Sequence, residues 1–477
     1  MNQQHQLDWQ TSQSHTEIAI PLIAQLYRLK GVEIRMFGKS LINASTIDIL
    51  KAHRIARRYS DTPIDTEKTL QIIEQLHQFP LSRCCIDIGR LAQAYWEKYD
   101  NADNLSDYLQ TVLNASLHNA DVNVEPRDVV LYGFGRIGRL LARLLVEKSG
   151  PNYPLRLRAI VVRGKETDLE KRASLLRRDS VHGPFNGSII VDHEQKAIIA
   201  NGNFIQIIYA NQPDQVDYPA YGINNALIVD NTGVWRDSEG LGRHLAANGA
   251  EKVLLTAPGK GDIKNVVFGV NDAVINEDDT IISAASCTTN AITPVLKALN
   301  DKYGIHSGHI ETVHSFTNDQ NLIDNFHSGD RRGRSASLNM VLTSTGAAKA
   351  VSKALPELAG KLTGNAIRVP TPNVSMAVAN LNLNASVDKE TLNRYLRDIA
   401  LHSSMSGQVD YTESTELVSS DIVGSRHAGV VDGTATIAQD NRCVLYIWYD
   451  NEFGYSCQVL HCMEQMLGVK YPVYPPA

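Results

Sequence analysis

The chain has 477 residues, 43% of them hydrophobic and 21% charged, and its formal net charge at pH 7 is -6. This length exceeds what one hydrophobic core organises, so we expect two or three domains. The acidic balance argues against a nucleic-acid partner, and the lack of an apolar run near the roughly 18 residues of a membrane span argues against a membrane partner.

The first residues, MNQQHQLDWQTSQSH, contain no basic segment followed by an apolar one, which predicts a cytoplasmic protein without a signal peptide. The six cysteines are too few and too irregularly spaced for a disulfide framework, and none has metal-ligand spacing to a histidine, so we expect no bound metal. We expect the adjacent Cys84 and Cys85 to be one buried helical residue beside an exposed one, with a redox pair as the alternative.

Helical periodicity dominates residues 16–118. Apolar residues recur at i, i+3, i+4 and i+7 in TEIAIPLIAQLYRLK, STIDILKAHRIARRY, DTEKTLQIIEQLHQF and NLSDYLQTVLNASLH. We therefore predict an all-α amino-terminal extension over residues 1–125. This extension carries no motif with recognisable chemistry, and the sequence indicates no partner for it.

After Pro126 the pattern changes to alternating strands and helices. RDVVLYGFGRIGRLLARLLVEK is a strand, a glycine turn and an amphipathic helix, and strand-like runs such as LRLRAIVV, NFIQIIYA and NALIVDN follow. This alternation predicts a doubly wound α/β domain of the Rossmann type over residues 126–286, completed by 456–477. Residues 287–455 combine helices with long strands such as HIETVHSF, which predicts an α+β catalytic domain.

The glycine turn has the spacing of a dinucleotide-binding loop, G-x-G-x-x-G, between a strand and a helix. Gly133 permits the tight turn, Gly135 lets the backbone approach a pyrophosphate, and Gly138 allows close packing of helix on strand. We expect the whole loop to bind a nicotinamide dinucleotide through Gly133, Phe134, Gly135, Arg136, Ile137 and Gly138.

The residues after the second strand of this domain bear on the choice of cofactor. A carboxylate at that point binds the ribose 2′-hydroxyl of NAD, but here Val162 is followed by Arg163 and Lys165. Two cations in place of a carboxylate favour the 2′-phosphate of NADP. NAD stays the alternative, in which Glu166 or Asp168 turns back to bind the ribose.

GFGRIGR and SCTTN together show that the chain resembles the phosphorylating glyceraldehyde-3-phosphate dehydrogenases. The resemblance runs from about Val129 to near the end of the chain, through DSVHGPF, SCTTNAITP, STGAAKA, TGNAIRVPTPNVS and WYDNEFGYS, and it leaves out roughly the first 125 residues. It implies reversible NAD(P)-dependent oxidation and phosphorylation of glyceraldehyde 3-phosphate to 1,3-bisphosphoglycerate, through a cysteine thioester and in a homotetramer. With NADP, the enzyme would serve the gluconeogenic direction.

The resemblance also assigns roles to individual residues. Cys287 is the implied nucleophile, and His314 is the base that lowers its pKa and then removes the hydroxyl proton during hydride transfer. The implied pocket for the attacking phosphate consists of Ser286, Thr288, Thr345 and Gly346, and the pocket for the substrate's own phosphate consists of Thr317 and Arg368. The implied cofactor contacts outside the glycine loop are Arg163, Thr232, Asn451 and Tyr455, whereas His182 is expected to be structural.

Three departures from the family pattern leave alternatives open. Asn325 and Phe326 replace the Leu-Pro pair of NAD-restricted members, which again favours NADP, and Ala291 replaces a second cysteine that has no role in the chemistry. The loop NDQNLID is similar to that of erythrose-4-phosphate dehydrogenase, so this activity is an alternative, although Thr317 and STGAAKA favour the phosphorylating enzyme. A further alternative is a regulatory or scaffolding extension on a retained dehydrogenase body.

Overall fold

The computed structural model describes residues 2–56, 64–117, 125–469 and 471–476. Backbone contacts divide the chain into two compact units. The first unit comprises residues 1–126, 150–154 and 470–477, and the second comprises residues 127–149 and 155–469.

The first unit packs helices on a small sheet. Its helices are α1 (Asn2–Lys30), α2 (Thr46–Ala56), α3 (Thr66–Gln78), α4 (Ile88–Trp96), α5 (Leu105–Val112) and α6 (Asn114–Leu117). Its strands, within the described residues, are β1 (Val32–Met36), β2 (Lys39–Ser40), β3 (Cys84–Asp87) and, much later in the chain, β21 (Val473–Tyr474). They lie in the order β2-β1-β3-β21, and β1, β3 and β21 are parallel.

The prediction that this unit is all-α is therefore wrong. Four of the five residues of β1 are buried, as are all four of β3. Cys84 and Cys85 both lie buried in β3, so neither is the exposed helical residue that we expected. VEIRM does alternate as a strand should, but over only five residues, and the buried run CCID has no alternation that distinguishes a strand from a helix.

Strand β21 corrects part of a second expectation: of residues 456–477, which we expected to complete the Rossmann domain, residues 470–477 belong to the first unit. The strand pairs with β3 instead, and Val473 lies beside Cys85. The hydroxyl of Tyr474 accepts a hydrogen bond from Ser116 at 3.0 Å, and its ring belongs to the core of the first unit. A two-residue strand has no sequence pattern of its own, so packing alone decides which sheet it joins.

The second unit begins with the predicted doubly wound domain. Its strands are β4 (Arg127–Tyr132), β5 (Leu155–Val162), β6 (Ile189–Asp192), β7 (Ala197–Ala200), β8 (Asn203–Tyr209), β9 (Ala226–Asp230), β10 (Ala250–Leu255), β11 (Lys264–Asn265) and β12 (Ile281–Ser283). The helices of this part are α7 (Arg136–Lys148), α8 (Leu169–Arg177) and α9 (Ser238–Leu245).

Across the described residues this sheet runs β11-β12-β10-β9-β4-β5-β8-β7-β6, parallel except at the β7 and β6 edge. The chain passes from β4 to β5 on one side and later returns to β9 on the other. The carboxyl ends of β4 and β9 therefore flank the crevice in which doubly wound sheets bind ligands.

The rest of the second unit is the predicted α+β part. Its helices are α10 (Cys287–Tyr303), α11 (Ala347–Ala354), α12 (Lys389–His402) and α13 (Phe453–Met466). Its strands are β13 (Ile305–Ser315), β14 (Val341–Ser344), β15 (Leu362–Val369), β16 (Ser375–Leu383), β17 (Val409–Thr412), β18 (Gly429–Asp432), β19 (Ile437–Gln439) and β20 (Arg442–Tyr449). Within the described part of the chain they form one mixed sheet, β14-β15-β13-β16-β20-β18-β17, with β19 on β20.

Helix α10 connects this sheet to the preceding domain. Its side chains Ala291, Ile292, Val295 and Leu296 are buried in the core that the sheet covers. Helix α13 packs against both α10 and α7, as expected for a last helix that returns to the Rossmann part.

In the ranges that the structure describes, no helix is long and apolar enough to cross a membrane. The same ranges contain no group of three or more His, Cys, Asp or Glu side chains arranged to hold a metal ion.

Candidate active site

The thiol of Cys287 lies in the first turn of α10. Ser286 caps this helix, because its Oγ accepts the N–H of Thr289 at 3.1 Å. The cap fixes Cys287 as the first helical residue, where the free N–H groups and the helix dipole favour a negative charge. Its Sγ lies 3.6 Å from Nε2 of His314, so the structure brings together the two residues assigned to catalysis.

His314 stands near the end of β13 and is 6% exposed. Its Nδ1 lies 2.7 Å from the carbonyl of Ser315, and a proton donated to that carbonyl leaves the Nε2 lone pair directed at the thiol. In this tautomer Nδ1 accepts no hydrogen bond from Arg368, whose N–H groups bond to Ser315 and Thr317 instead. Burial and the neighbouring charge of Arg368 lower the pKa of His314 to about 4. The imidazole is therefore neutral at pH 7 and able to accept a proton.

The pKa of the Cys287 thiol is not lowered in this site. Burial raises the pKa of Cys287, and the charge of Arg368 and the hydrogen bonds from Thr288 oppose this only in part. His314 is not among the groups that lower the pKa of Cys287, so the expectation that it does so is not met. The arrangement instead suits transfer of the thiol proton to Nε2 as the sulfur attacks.

A cationic pocket adjoins the pair. Nη1 of Arg368 lies 2.8 Å from Nδ1 of His314, 2.9 Å from the Ser315 carbonyl and 3.4 Å from Oγ1 of Thr317. The Thr317 hydroxyl donates to Asp319, and this carboxylate accepts from Nη1 of Arg332 at 2.6 Å. Two guanidinium groups and one carboxylate thus lie beside the catalytic histidine, and the net positive charge that remains suits an anion.

The residues assigned to the attacking phosphate are only partly brought together. Thr288 is 6% exposed, and its Oγ1 lies 2.9 Å from the hydroxyl of Tyr449. Thr345 and Gly346 stand at the start of α11, where Thr345 Oγ1 accepts the N–H of Ala347 at 3.1 Å. Helix α11 packs against α10, but no hydrogen bond between described residues joins this turn to the thiol.

Asn451 and Tyr455 follow β20. The carbonyl oxygen of the Asn451 side chain accepts two hydroxyls at 2.9 Å each, those of Ser315 and Ser375. The Asn451 amide nitrogen is then the end that can donate to a ligand. The buried hydroxyl of Tyr455 donates to the carbonyl of Ala285, two residues before Cys287, at 2.9 Å.

The glycine loop between β4 and α7 has the shape that a pyrophosphate requires. Gly133 has a φ of +98°, and a Cβ at Gly138 would lie 2.3 Å from the Gly133 carbonyl oxygen, so both positions exclude a side chain. A Cβ at Gly135 would meet no protein atom within 4 Å, so its absence leaves room for a ligand at the amino end of α7. Thr232 borders this loop, with its Cγ2 3.0 Å from the position of a Cβ on Gly133.

The other three residues of the loop contribute differently. Phe134 is buried and its carbonyl accepts from Arg139 at 3.3 Å, while Ile137 is half-buried. The guanidinium of Arg136 is held by Asp179 and Glu452. A contact of Arg136 with a cofactor is thus left to its backbone N–H, which belongs to the unpaired first turn of α7.

Around the end of β5, Arg163 is exposed and its carbonyl accepts from Nη2 of Arg172. Oδ2 of Asp168 lies 3.9 Å from the same Nη2 and 3.0 Å from where a Cβ on Gly164 would stand, so this carboxylate lies beside the end of β5 and close to Arg172. The side chain of Glu166 lies outside the described part. Phe326, in the loop after β13, is 91% exposed.

Several residues of the site escaped the sequence analysis, namely Ser315, Asp319, Arg332, Ser375, Tyr449 and Glu452. Glu452 belongs to the motif WYDNEFGYS, which was singled out for its neighbour Asn451, and Arg332 lies in the basic run RRGR. The other four are common polar residues whose roles depend on contacts distant in sequence. His182, which we expected to be structural, has its Nε2 2.9 Å from Oδ2 of Asp450.

A doubly wound dinucleotide-binding domain, followed by a cysteine and a histidine in contact, defines a nicotinamide-dependent oxidoreductase. The NAD-binding domain model of glyceraldehyde 3-phosphate dehydrogenase matches residues 127–238, and the model of its C-terminal domain matches residues 286–451. The chain belongs to the glyceraldehyde-3-phosphate dehydrogenase family.

Curated relatives separate into two kinds by the share of this chain that they cover. A glyceraldehyde-3-phosphate dehydrogenase-like protein of Pseudomonas aeruginosa is 59% identical over 461 residues, 96% of this chain and 100% of the relative. Glyceraldehyde-3-phosphate dehydrogenase of Borreliella burgdorferi is 39% identical over 71% of this chain and 99% of its own length. The chloroplastic glyceraldehyde-3-phosphate dehydrogenase A of Zea mays is 42% identical over 70% of this chain and 80% of its own length.

Proposed function

We propose that this protein catalyses the reversible NAD(P)-dependent oxidation and phosphorylation of glyceraldehyde 3-phosphate to 1,3-bisphosphoglycerate. The observation that carries the proposal is the 3.6 Å contact of Cys287 Sγ with His314 Nε2, beside the guanidinium of Arg368. The names of the Borreliella and Zea relatives support the choice of substrate.

In the first step Sγ of Cys287 bonds to the aldehyde carbon. His314 Nε2 accepts the thiol proton and passes it to the developing alkoxide, which gives a hemithioacetal. Nε2 then takes the hydroxyl proton as hydride leaves the same carbon, and a thioester remains on Cys287. When bound, the cofactor supplies the hydride acceptor at its nicotinamide ring.

In the second step an oxygen of inorganic phosphate attacks the thioester carbon. The carbon–sulfur bond breaks, and His314 returns its proton to the leaving sulfur of Cys287. We place the substrate's own phosphate against Arg368, Thr317 and Arg332, because a planar guanidinium can donate two hydrogen bonds to phosphate oxygens.

Single-turnover kinetics test the thioester. With aldehyde and cofactor but no phosphate, the wild type should release one equivalent of reduced cofactor per site and then stop until phosphate is added. Cys287→Ala should give no such burst, and a normal burst from this variant would refute the assignment. Cys443→Ala, which alters a buried thiol of the catalytic-domain core, is the matched control.

The same experiment separates the alternative activity. An erythrose-4-phosphate dehydrogenase would favour the four-carbon aldose phosphate and would turn over repeatedly without phosphate, because water releases the acid. We favour the three-carbon substrate, since the cationic pocket around Thr317 and the STGAAKA turn are both present.

We further propose a preference for NADP over NAD. The proposal is supported by Arg163 and Lys165, which are both exposed just after β5, and by Arg172, whose Nη2 lies 3.9 Å from the Asp168 carboxylate, the NAD alternative at this point. Loss of charge-assisted hydrogen bonds worth about 1.5–3 kcal/mol should lower the NADP to NAD ratio of kcat/KM by about 10- to 100-fold in Arg163→Ala. The exposed Lys171→Ala on α8 is the control, and a wild-type preference for NAD would contradict the proposal. An NADP preference would support the gluconeogenic direction.

We propose that the protein forms the homotetramer of its family, because one surface segment is strongly apolar. The segment from residue 322 to residue 340 exposes large apolar side chains, at 69–91% of their area: Leu322, Ile323, Phe326, Leu338 and Met340. Monomers rarely leave so many apolar side chains together in water. Sedimentation equilibrium measures the assembly, and a monomer at micromolar concentration would refute it.

A regulatory or scaffolding role of the first unit is a second proposal, and the Pseudomonas relative spans this unit as well, since it matches 96% of the chain. Its test is a deletion that respects the structure. Because β21 pairs with β3, a chain that lacks the first unit should also lack residues 470–477. Unchanged kinetics with a changed assembly state would assign the unit to assembly, and changed kinetics would assign it to the reaction.

A further inference from the structure

Three consecutive residues after β20 connect three different parts of the second unit. Asp450 reaches the loop that carries His182, at 2.9 Å. Asn451 reaches the ends of β13 and β16 through hydroxyl groups. Glu452 reaches the guanidinium of Arg136, the first residue of α7. The tripeptide therefore joins the phosphate end of the proposed cofactor site to its nicotinamide end.

The contact of Glu452 with Arg136 is bidentate. Nε of Arg136 lies 3.0 Å and 3.1 Å from the two carboxylate oxygens, and Nη2 lies 2.5 Å from one of them. Nη1 donates to Asp179, whose side chain is 3% exposed. A planar guanidinium held by two carboxylates fixes direction as well as distance, which a lysine in this place could not do.

His182 completes the network. Its Nδ1 lies 3.2 Å from Nη2 of Arg136, and its Nε2 faces Oδ2 of Asp450. With its proton on Nε2, the ring accepts from the guanidinium at Nδ1 and donates to the Asp450 carboxylate at Nε2. Asp450 also accepts the N–H groups of Glu452 and Phe453, so it holds the backbone around Asn451 in place.

We infer that the Arg136–Glu452 pair is a positioning device for the nicotinamide, acting through Asn451. The side chain of Arg136 is directed away from a ligand role, yet its backbone begins the helix whose amino end should bind the pyrophosphate. Its partner Glu452 is the next residue after Asn451, whose amide should hold the nicotinamide carboxamide. The pair therefore sets the separation of the two cofactor ends, and this inference rests on the proposed function.

A second ion pair on α7 allows a matched comparison. Glu147, eleven residues after Arg136, accepts Nη2 of Arg426 at 2.6 Å and 2.8 Å. This pair also ties α7 to the catalytic part, with Glu147 about 16 Å further along the helix than Arg136, and its Arg426 lies over the ring of Phe453 and not on Glu452. If ion pairs on α7 matter only for packing, Glu147→Gln and Glu452→Gln should behave alike.

The experiment compares these variants and Arg136→Lys by cofactor binding and turnover. ADP-ribose, or its 2′-phosphate form, contains the pyrophosphate but no nicotinamide, so it probes the glycine loop alone. We expect Glu452→Gln and Arg136→Lys to bind this probe within about twofold of the wild type while kcat falls about 10- to 100-fold, because small misplacements of reacting groups cost that much. Glu147→Gln should keep both values.

Two results would overturn the inference: equal effects of Glu452→Gln and Glu147→Gln, or an equal loss of affinity for ADP-ribose and for the whole cofactor. Thermal melting of each variant identifies a protein that has failed to fold, and Arg136→Lys then replaces Glu452→Gln. Failure of the proposed function gives a different result: the wild type would show no dehydrogenase turnover, while the binding of ADP-ribose and of the whole cofactor could still be compared between variants.

Discussion

Two glycines of the same loop should respond to a single added methyl group in different ways. Gly135 has φ -77° and ψ -159°, and its Cβ would meet no atom within 4 Å. Gly135→Ala restricts the unfolded chain, which stabilises, but alanine is a poorer N-cap of α7 than glycine, so the free energy of unfolding of the free protein should change by less than about 1 kcal/mol. The methyl group would, however, fill the space left for the cofactor's phosphates.

Gly138→Ala places its methyl 2.3 Å from a backbone oxygen of Gly133, about 1 Å inside the 3.4 Å at which ordinary contact begins. Backbone must then move, and overpacking of this kind costs about 1–3 kcal/mol. For a chain of this size each kcal/mol lowers Tm by roughly 2–4 °C or less. Both variants should bind the cofactor at least about 10-fold more weakly, a loss of about 1.4 kcal/mol or more.

Thermal melting without cofactor and fluorescence titration with NAD(P)H measure the two effects separately. The reasoning requires that Gly135→Ala keeps Tm and loses affinity, whereas Gly138→Ala loses both. If Gly135→Ala binds cofactor as the wild type does, the open space in front of that residue is not the pyrophosphate site. If Gly138→Ala melts with the wild type, the close approach of helix and strand has been overestimated.

The remaining predictions concern the catalytic end. Between pH 7 and pH 4 the free energy of unfolding should fall by about 3 kcal/mol more in the wild type than in His314→Asn. The reason is that the histidine binds its proton near pH 6.5 when unfolded and only near pH 4 when buried. Urea denaturation at each pH measures this, and an equal fall in both proteins would contradict it. Arg368→Lys keeps the charge but not the planar fork, so KM for the aldehyde should rise at least about 10-fold in steady-state assays; an unchanged KM would remove Arg368 from the substrate pocket. Tyr449→Phe removes the hydroxyl that lies 2.9 Å from Oγ1 of Thr288, and the free energy of unfolding should fall by about 1–2 kcal/mol. The fall should be smaller when Thr288 is already valine, as denaturant titration of the four proteins would show. Additive losses would refute the coupling.

The sequence predicted the features that local pattern or a shared motif specifies. The turn of Gly133 to Gly138 was placed between a strand and a helix because its spacing has a direct steric meaning. The contact of Cys287 with His314, residues on α10 and β13, followed from the family motifs, since nothing local relates positions 27 residues apart.

Other features depend on tertiary packing and left no signal in the sequence. The sheet of the first unit was missed because VEIRM and CCID are short runs between segments with strong helical periodicity. The direction of the thiol pKa was missed too, since burial is a property of the folded site and outweighs the helix dipole at Cys287. For Arg136, the motif predicted a residue beside the cofactor, but only the fold shows that Glu452 holds its charge.

Strand β21 also has a consequence for the order in which the protein is made. Residues 473 and 474 leave the ribosome after the whole second unit, yet they belong to the sheet of the first unit and place Tyr474 in its core. Domains usually fold one after another during synthesis, with the amino-terminal one first. Here the first unit emerges early but lacks one strand until translation has passed residue 474. Until then the edge of β3 is open, and a stalled or proteolysed chain exposes an unpaired strand to other chains.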